Sequence, residues 1–188
     1  MSGRTRAEAP TERADLAAIA ILVGAATLLL TRTTIAQGPA PALTLSFSYL
    51  AIGAAALATP AAKDAPVLRP ALVFLAGVVA VLGVLALVGP GVPVRSGWTS
   101  GSLAALAGIA EEALFRRLLY DRLTRFGALV AVVGSAAAFA LLHVPLYGIE
   151  VLPVDLGAGL LLSWQRWASG TWTVPAATHV AAQLLMGL

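Results

Sequence analysis

A chain of 188 residues in which 59% are hydrophobic and only 11% charged falls well short of the roughly 25% charged content of soluble domains. With a mean hydropathy of +0.89 it cannot cover a water-facing surface, and its solvent must be largely lipid. There is no room for a second domain of ordinary size, and the absence of cysteine excludes disulfides, thiolate metal sites and a cysteine nucleophile. The net charge of +3 does not argue for a nucleic-acid partner, because basic residues in a membrane protein mark cytoplasmic loops.

Residues 1–15 mix Arg4, Arg6 and Arg13 with Glu8, Glu12 and Asp15 and read as a short cytoplasmic tail. Residues 16–188 then form one transmembrane domain. The first apolar run, 16–36, is long enough for a ~30 Å hydrocarbon core. A signal peptide is the rival reading, with Thr34-Ile35-Ala36 as its cleavage site, but further membrane segments follow. A Gly/Pro loop at 37–41 leads to a second span, 43–59, and a polar turn at 60–70 to a third, 71–88. The Gly77, Gly83 and alanines of that third span suit close packing in lipid. After a Gly/Pro break, Trp98 reads as an interface anchor. A fourth helix is expected over 102–125, a fifth over 127–143, a short sixth over 154–164 with Pro153 as a kink, a loop at 165–171, and a last helix over 173–188. The fold class is therefore all-α, a polytopic bundle of about seven segments.

Placing the N-terminus inside puts Arg4, Arg6, Arg13, Lys63, Arg69, Arg116, Arg117, Arg122, Arg125 and Arg166 on the inner side. Only Arg32 and Arg95 fall outside, which accounts for all 12 basic residues. This asymmetry predicts a multi-pass cell-membrane protein with a cytoplasmic N-terminus.

The fourth helix carries Glu111 and Glu112. A charge at the bilayer centre costs at least ~2.5–3.5 kcal/mol, so two in succession point to function. Glu112 and Arg116 are four apart and can pair on one face, whereas Glu111 points about 100° away and is free to face a cavity. The rival reading lays this helix on the membrane surface with its charges solvated. Depth argues against it. Glu111 lies 16 positions before Gly127 and His143 16 positions after it, so a hairpin turning there puts both about 24 Å from the turn. His179, midway along the last segment, can reach the same level, and Gln183 shares its helix face.

A buried glutamate beside a histidine can activate water as a general base, and a second histidine with an amide can stabilise an oxyanion. Together these describe peptide or amide hydrolysis without a covalent intermediate; no serine stands in a recognisable nucleophile setting. No cofactor is required. Two histidines and a carboxylate are also a catalytic zinc set, although no H-E-x-x-H is present, so a divalent metal stays open as an alternative.

At these residues the chain resembles the CPBP family of intramembrane proteases, which includes CAAX prenyl endopeptidases and bacterial proteins linked to bacteriocin processing and self-immunity. The family pattern is E-E-x-x-x-R, F-x-x-x-H, then H-x-x-x-N or D. Here it reads Glu111-Glu112-Ala113-Leu114-Phe115-Arg116, Phe139-Ala140-Leu141-Leu142-His143 and His179-Val180-Ala181-Ala182-Gln183. The resemblance covers residues 103–183, the expected catalytic core. It implies Glu111 as base, His143 as its partner at the water, His179 and Gln183 at the oxyanion, and Glu112, Arg116 and Phe139 as support. Gln183 departs from the pattern by one methylene. The implied substrate is a membrane-associated peptide or protein, which a prenyl endopeptidase would require to be lipidated. A non-catalytic immunity or peptide-binding relative and a small proton-coupled transporter are the alternatives; a transporter would more often show paired repeats or broken helices at midplane.

Overall fold

The computed structural model describes residues 8–60, 65–88 and 98–186, all of whose regular structure is helical. The helices are α1 (Glu8–Leu30), α2 (Arg32–Ile35), α3 (Pro41–Ala58), α4 (Pro70–Val88), α5 (Trp98–Glu112), α6 (Tyr120–Leu123), α7 (Ala128–Tyr147), α8 (Leu152–Ser169) and α9 (Thr173–Met186). A π-helical stretch, Ala113–Leu119, joins α5 to α6 without a break. The tail residues 1–7, Lys63 and Arg95 lie outside the described residues.

Three of the helices, Pro41–Ala58, Pro70–Leu87 and Ala128–Tyr147, are long and apolar enough to cross a membrane, and Ala14–Leu30 is a shorter apolar helix. The expected count of seven spans is therefore not met by length and composition among the described residues. Helices α5 and α9 fall short in length, at 15 and 14 residues, whereas α8, at 18 residues, is made too polar by side chains such as Asp155, Gln165 and Arg166. Leu75, Val79 and Leu87 of α4 and Phe47 of α3 point outward, as helices solvated by lipid require.

Two boundaries differ from expectation. Pro153 sits in the first turn of α8, where a missing N–H costs nothing, so it starts the helix and does not kink it. Helix α8 then runs through the expected loop to Ser169, and Gly170 ends it in the left-handed region at φ 70°. Helix α7 continues past His143, through Pro145, to Tyr147, one more turn than the sequence suggests.

Buried charges hold the bundle together. Arg117 on the π-helical stretch donates to the carbonyls of Ala56, Leu57 and Thr59, capping the orphan C-terminal carbonyls of α3 with a cation. Arg166 donates from Nε to the Arg116 carbonyl at 3.0 Å and from Nη2 to Asp121 at 2.7 Å. Gln165 donates to the Val73 carbonyl (2.9 Å) and the Thr178 hydroxyl (3.0 Å), tying α8 to α4 and α9. Helices α7 and α8 approach closely because Gly159 lacks a Cβ, which would lie 2.9 Å from the Ala136 carbonyl oxygen, and the Ser135 and Ser163 hydroxyls meet at 2.9 Å across the same contact.

These contacts revise the charge count behind the topology. Arg116, Arg117 and Arg166 are buried and are not loop charges. At one end of the bundle Asp15 pairs with Arg122 and Arg125, which sets the start of α1 beside the α6–α7 turn. Arg32 and Tyr147 meet at the other end.

Candidate functional site

The centre of the α5–α6 stretch, residues 110–118, is buried. Glu111 is 3% exposed, and Glu112 and Arg116 are 0% exposed, so the surface-helix reading is excluded. The π-helical stretch begins at the residue after Glu112; such insertions are rare and cluster at functional sites.

Glu112 and Arg116 form the expected i,i+4 pair, Nη1 to Oε1 at 3.0 Å. Arg116 also donates from Nη2 to the Gly159 carbonyl at 3.1 Å, and its guanidinium lies 4.6 Å from the Phe139 ring centroid. His179 places Nδ1 2.9 Å from the same Glu112 Oε1. Glu112 is therefore the shared partner of a cation and an imidazole.

Glu111 points the other way, into a cavity of about 970 Å³ that His143, His179, Gln183, Tyr147 and Asp155 also line. Its Oε2 stands 4.0 Å from His179 Nε2, beyond hydrogen-bonding distance. His143 bonds through Nδ1 to the Phe139 carbonyl oxygen at 2.8 Å. That carbonyl can only accept, so Nδ1 carries the hydrogen and Nε2 is the nitrogen left for the cavity. Phe139 holds both imidazoles, its ring centroid 4.5 Å from that of His143 and 5.9 Å from that of His179. Phe115 packs edge-on against it at 5.5 Å.

Gln183 does not stand apart as an independent donor. Its Nε2 lies 3.3 Å from His179 Nε2, and its Oε1 is buried without a partner. With His179 Nδ1–H donating to Glu112, a neutral ring accepts the Gln183 amide at Nε2. A protonated ring would instead require the carboxamide to turn its oxygen to Nε2–H, which would satisfy that orphaned acceptor.

All seven residues singled out in the sequence thus meet in one region. Glu111, Phe139, His143, His179 and Gln183 line the cavity, and Glu112 and Arg116 lie behind it. The sequence reading missed Arg32, placed there as an outer-loop charge. Its Nη1 donates to Glu111 Oε1 at 2.9 Å and its Nη2 to the Tyr147 hydroxyl at 2.7 Å. Glu111 is therefore paired as well, and its second oxygen is the free one. Asp155, in the first turn of α8, was missed too. Both lie in apolar runs, where an ionisable residue is functional by default, and that signal was available. Among the described residues no group of three or more His, Asp or Glu side chains is disposed to hold a metal ion.

A buried acid and two imidazoles at a mainly apolar cavity among helices are a set of groups able to activate and orient a water. The model of the Rce1-like family, described as type II CAAX prenyl endopeptidase Rce1-like, matches residues 93–185. This matched region contains all three motifs and agrees with their resemblance to the CPBP family. No curated protein and no solved structure shows a significant match.

Proposed function

We propose that the protein is an intramembrane endopeptidase that hydrolyses a peptide bond of a membrane-associated or lipidated substrate with water activated by Glu111 and His143. The observation that carries this reading is the convergence of Glu111, His143 and His179 on one cavity whose walls are mainly apolar. Such walls accept a hydrophobic peptide and strengthen electrostatics inside by excluding water.

In the proposed reaction Glu111 Oε2 takes a proton from a water held against His143 Nε2, and the oxygen adds to the scissile carbonyl carbon. The C–N bond then breaks, and the proton on Glu111 passes to the departing amine. His179 and Gln183 flank the developing oxyanion. Glu112 fixes the His179 ring, Arg116 holds Glu112, and the Phe139 carbonyl fixes the His143 ring. No step calls for a metal.

We further propose a multi-pass arrangement with a cytoplasmic N-terminus. The Asp15–Arg122–Arg125 cluster then lies at the inner face, and the cavity, on the Arg32–Tyr147 side, lies toward the outer half of the bilayer. That placement favours a membrane-anchored peptide over a cytoplasmic prenylated tail.

The test is cleavage of quenched hydrophobic peptides, some prenylated, by purified wild type, Glu111→Ala and His143→Ala, each with and without chelator. Cleavage lost in both variants and indifferent to chelator is expected. Chelator-sensitive cleavage would replace the glutamate mechanism with a metal one, and equal signals from all three proteins would trace the activity to a contaminant.

A further inference from the structure

We infer that Arg32 is a positioning residue for Glu111: a cation brought from the end of α1 that claims one carboxylate oxygen and thereby aims the other into the cavity. This deepens the proteolytic reading and rests on it. The starting point is charge. Glu111 and Glu112 are adjacent, and both are buried. Glu112 has Arg116 at 3.0 Å. Without a second cation Glu111 would be an acid beside an acid in an apolar setting, where the ionised form a base must start from is disfavoured. Arg32 supplies that cation at 2.9 Å.

Geometry makes this more than neutralisation. The Arg32 guanidinium is held on several sides: Nη1 on Glu111, Nη2 on the Tyr147 hydroxyl at 2.7 Å, and the Tyr147 ring centroid at 5.3 Å. Tyr49, buried on α3, lines the same cavity wall. A planar fork with partners on α5 and α7 has a fixed orientation, which a lysine ammonium cannot reproduce. Because Oε1 is committed to this fork, Oε2 is the oxygen presented toward His179 Nε2, 4.0 Å away. That gap leaves Oε2 unbonded by either histidine and available to water. The extra turn of α7 beyond His143 gains its purpose here, since it delivers Tyr147 to the clamp.

The experiment compares wild type, Arg32→Ala, Arg32→Lys and Glu111→Ala in two readouts on the purified full chain. The first is kcat and KM for a cleaved peptide. Arg32→Ala should lose kcat by about 100-fold, the scale of a misplaced catalytic group, with KM little changed. Lysine should restore only part of the loss, and methylguanidinium added to Arg32→Ala should raise kcat. The second readout is labelling of Glu111 by dicyclohexylcarbodiimide, located by mass spectrometry; this reagent modifies carboxyl groups in apolar surroundings. Glu111 should label faster in Arg32→Ala than in wild type. Equal labelling of Glu111 in both overturns the positioning role, as does Arg32→Ala with wild-type kcat. A labelling contrast in a protein that cleaves nothing would uphold the clamp and overturn the proteolytic reading, so the two failures are told apart.

Discussion

Glu112 Oε1 accepts from Arg116 Nη1 at 3.0 Å and lies 2.9 Å from His179 Nδ1, so a single buried oxygen joins the core of α5 to the cavity wall on α9. Glu112→Ala would strand the Arg116 guanidinium in a dry interior and free the His179 ring together. Breaking a buried pair by removing one partner costs ~3–5 kcal/mol, so Glu112→Ala should melt far below wild type in detergent. Glu111→Ala should lose all cleavage while keeping most of the thermal stability, because Arg32 keeps Tyr147. Thermal unfolding of the two variants side by side checks the division of labour.

Arg117 offers a control in which stability changes and chemistry does not. It caps α3 through the carbonyls of Ala56, Leu57 and Thr59 and is absent from the cavity wall. A hydrogen bond to a charged group contributes ~1.5–3 kcal/mol, so losing three that share one guanidinium should lower the stability of Arg117→Ala by at least about 3 kcal/mol. Its cleavage rate per folded molecule should stay at the wild-type value.

How much of this was legible beforehand depended on spacing. Glu112–Arg116 and His179–Gln183 are four-residue intervals on helices, and the hairpin about Gly127 set Glu111 and His143 at one depth. Each of these rests on helix geometry that sequence alone fixes. Arg32 meets Glu111 across 79 residues, and no local period links them. Its position was misjudged because a cation at the end of an apolar run satisfies the loop-charge rule equally well. The run through Pro145 was missed for a related reason. Proline ends most helices, but Tyr147 finds His143 stacked at 5.8 Å and Arg32 in reach. The fate of Arg117 and Arg166, as cap and cross-brace, depended on carbonyls exposed only once the bundle had formed.

Tyr147 separates its two contacts cleanly. Tyr147→Phe keeps the ring stacked on His143 and over Arg32 but removes the hydroxyl that Arg32 Nη2 grips. Cleavage should fall less than in Arg32→Ala, by about tenfold, the worth of one hydrogen bond to a charged group. Steady-state kinetics on the two variants should rank them in that order, and a larger loss in Tyr147→Phe would place the hydroxyl in the chemistry itself.

Orientation can be read without disturbing the site, because the chain has no cysteine of its own. Single cysteines at Phe126, in the α6–α7 turn, and at Ile149, past the end of α7, are both exposed positions. In intact cells a membrane-impermeant maleimide should label the Ile149→Cys protein and reach Phe126→Cys only after permeabilisation. The opposite pattern would turn the cavity toward the cytoplasm and restore a prenylated tail as the favoured substrate.

Gly108 is the structural answer to the long side chain at Gln183. A Cβ at position 108 would lie 2.9 Å from Gln183 Oε1 and 3.4 Å from its Cδ, so only glycine leaves the carboxamide room to reach His179 Nε2 at 3.3 Å. Glycine inside a helix costs ~0.5–1 kcal/mol against alanine, which makes α5 weaker in exchange for this space. Gly108→Ala should therefore push the amide off the His179 ring and reduce kcat/KM. Gln183→Asn should reduce it as well, by drawing the amide back from the ring. In the double variant the shorter asparagine no longer meets the new methyl, so the combined loss should be smaller than the two single losses together. A coupling of ~0.5–3 kcal/mol is expected for residues in contact. Strict additivity would instead assign Gly108 to the general packing of α5 on α9. Measuring kcat/KM for all four proteins decides between a glycine that fits one amide and a glycine that merely lets two helices approach.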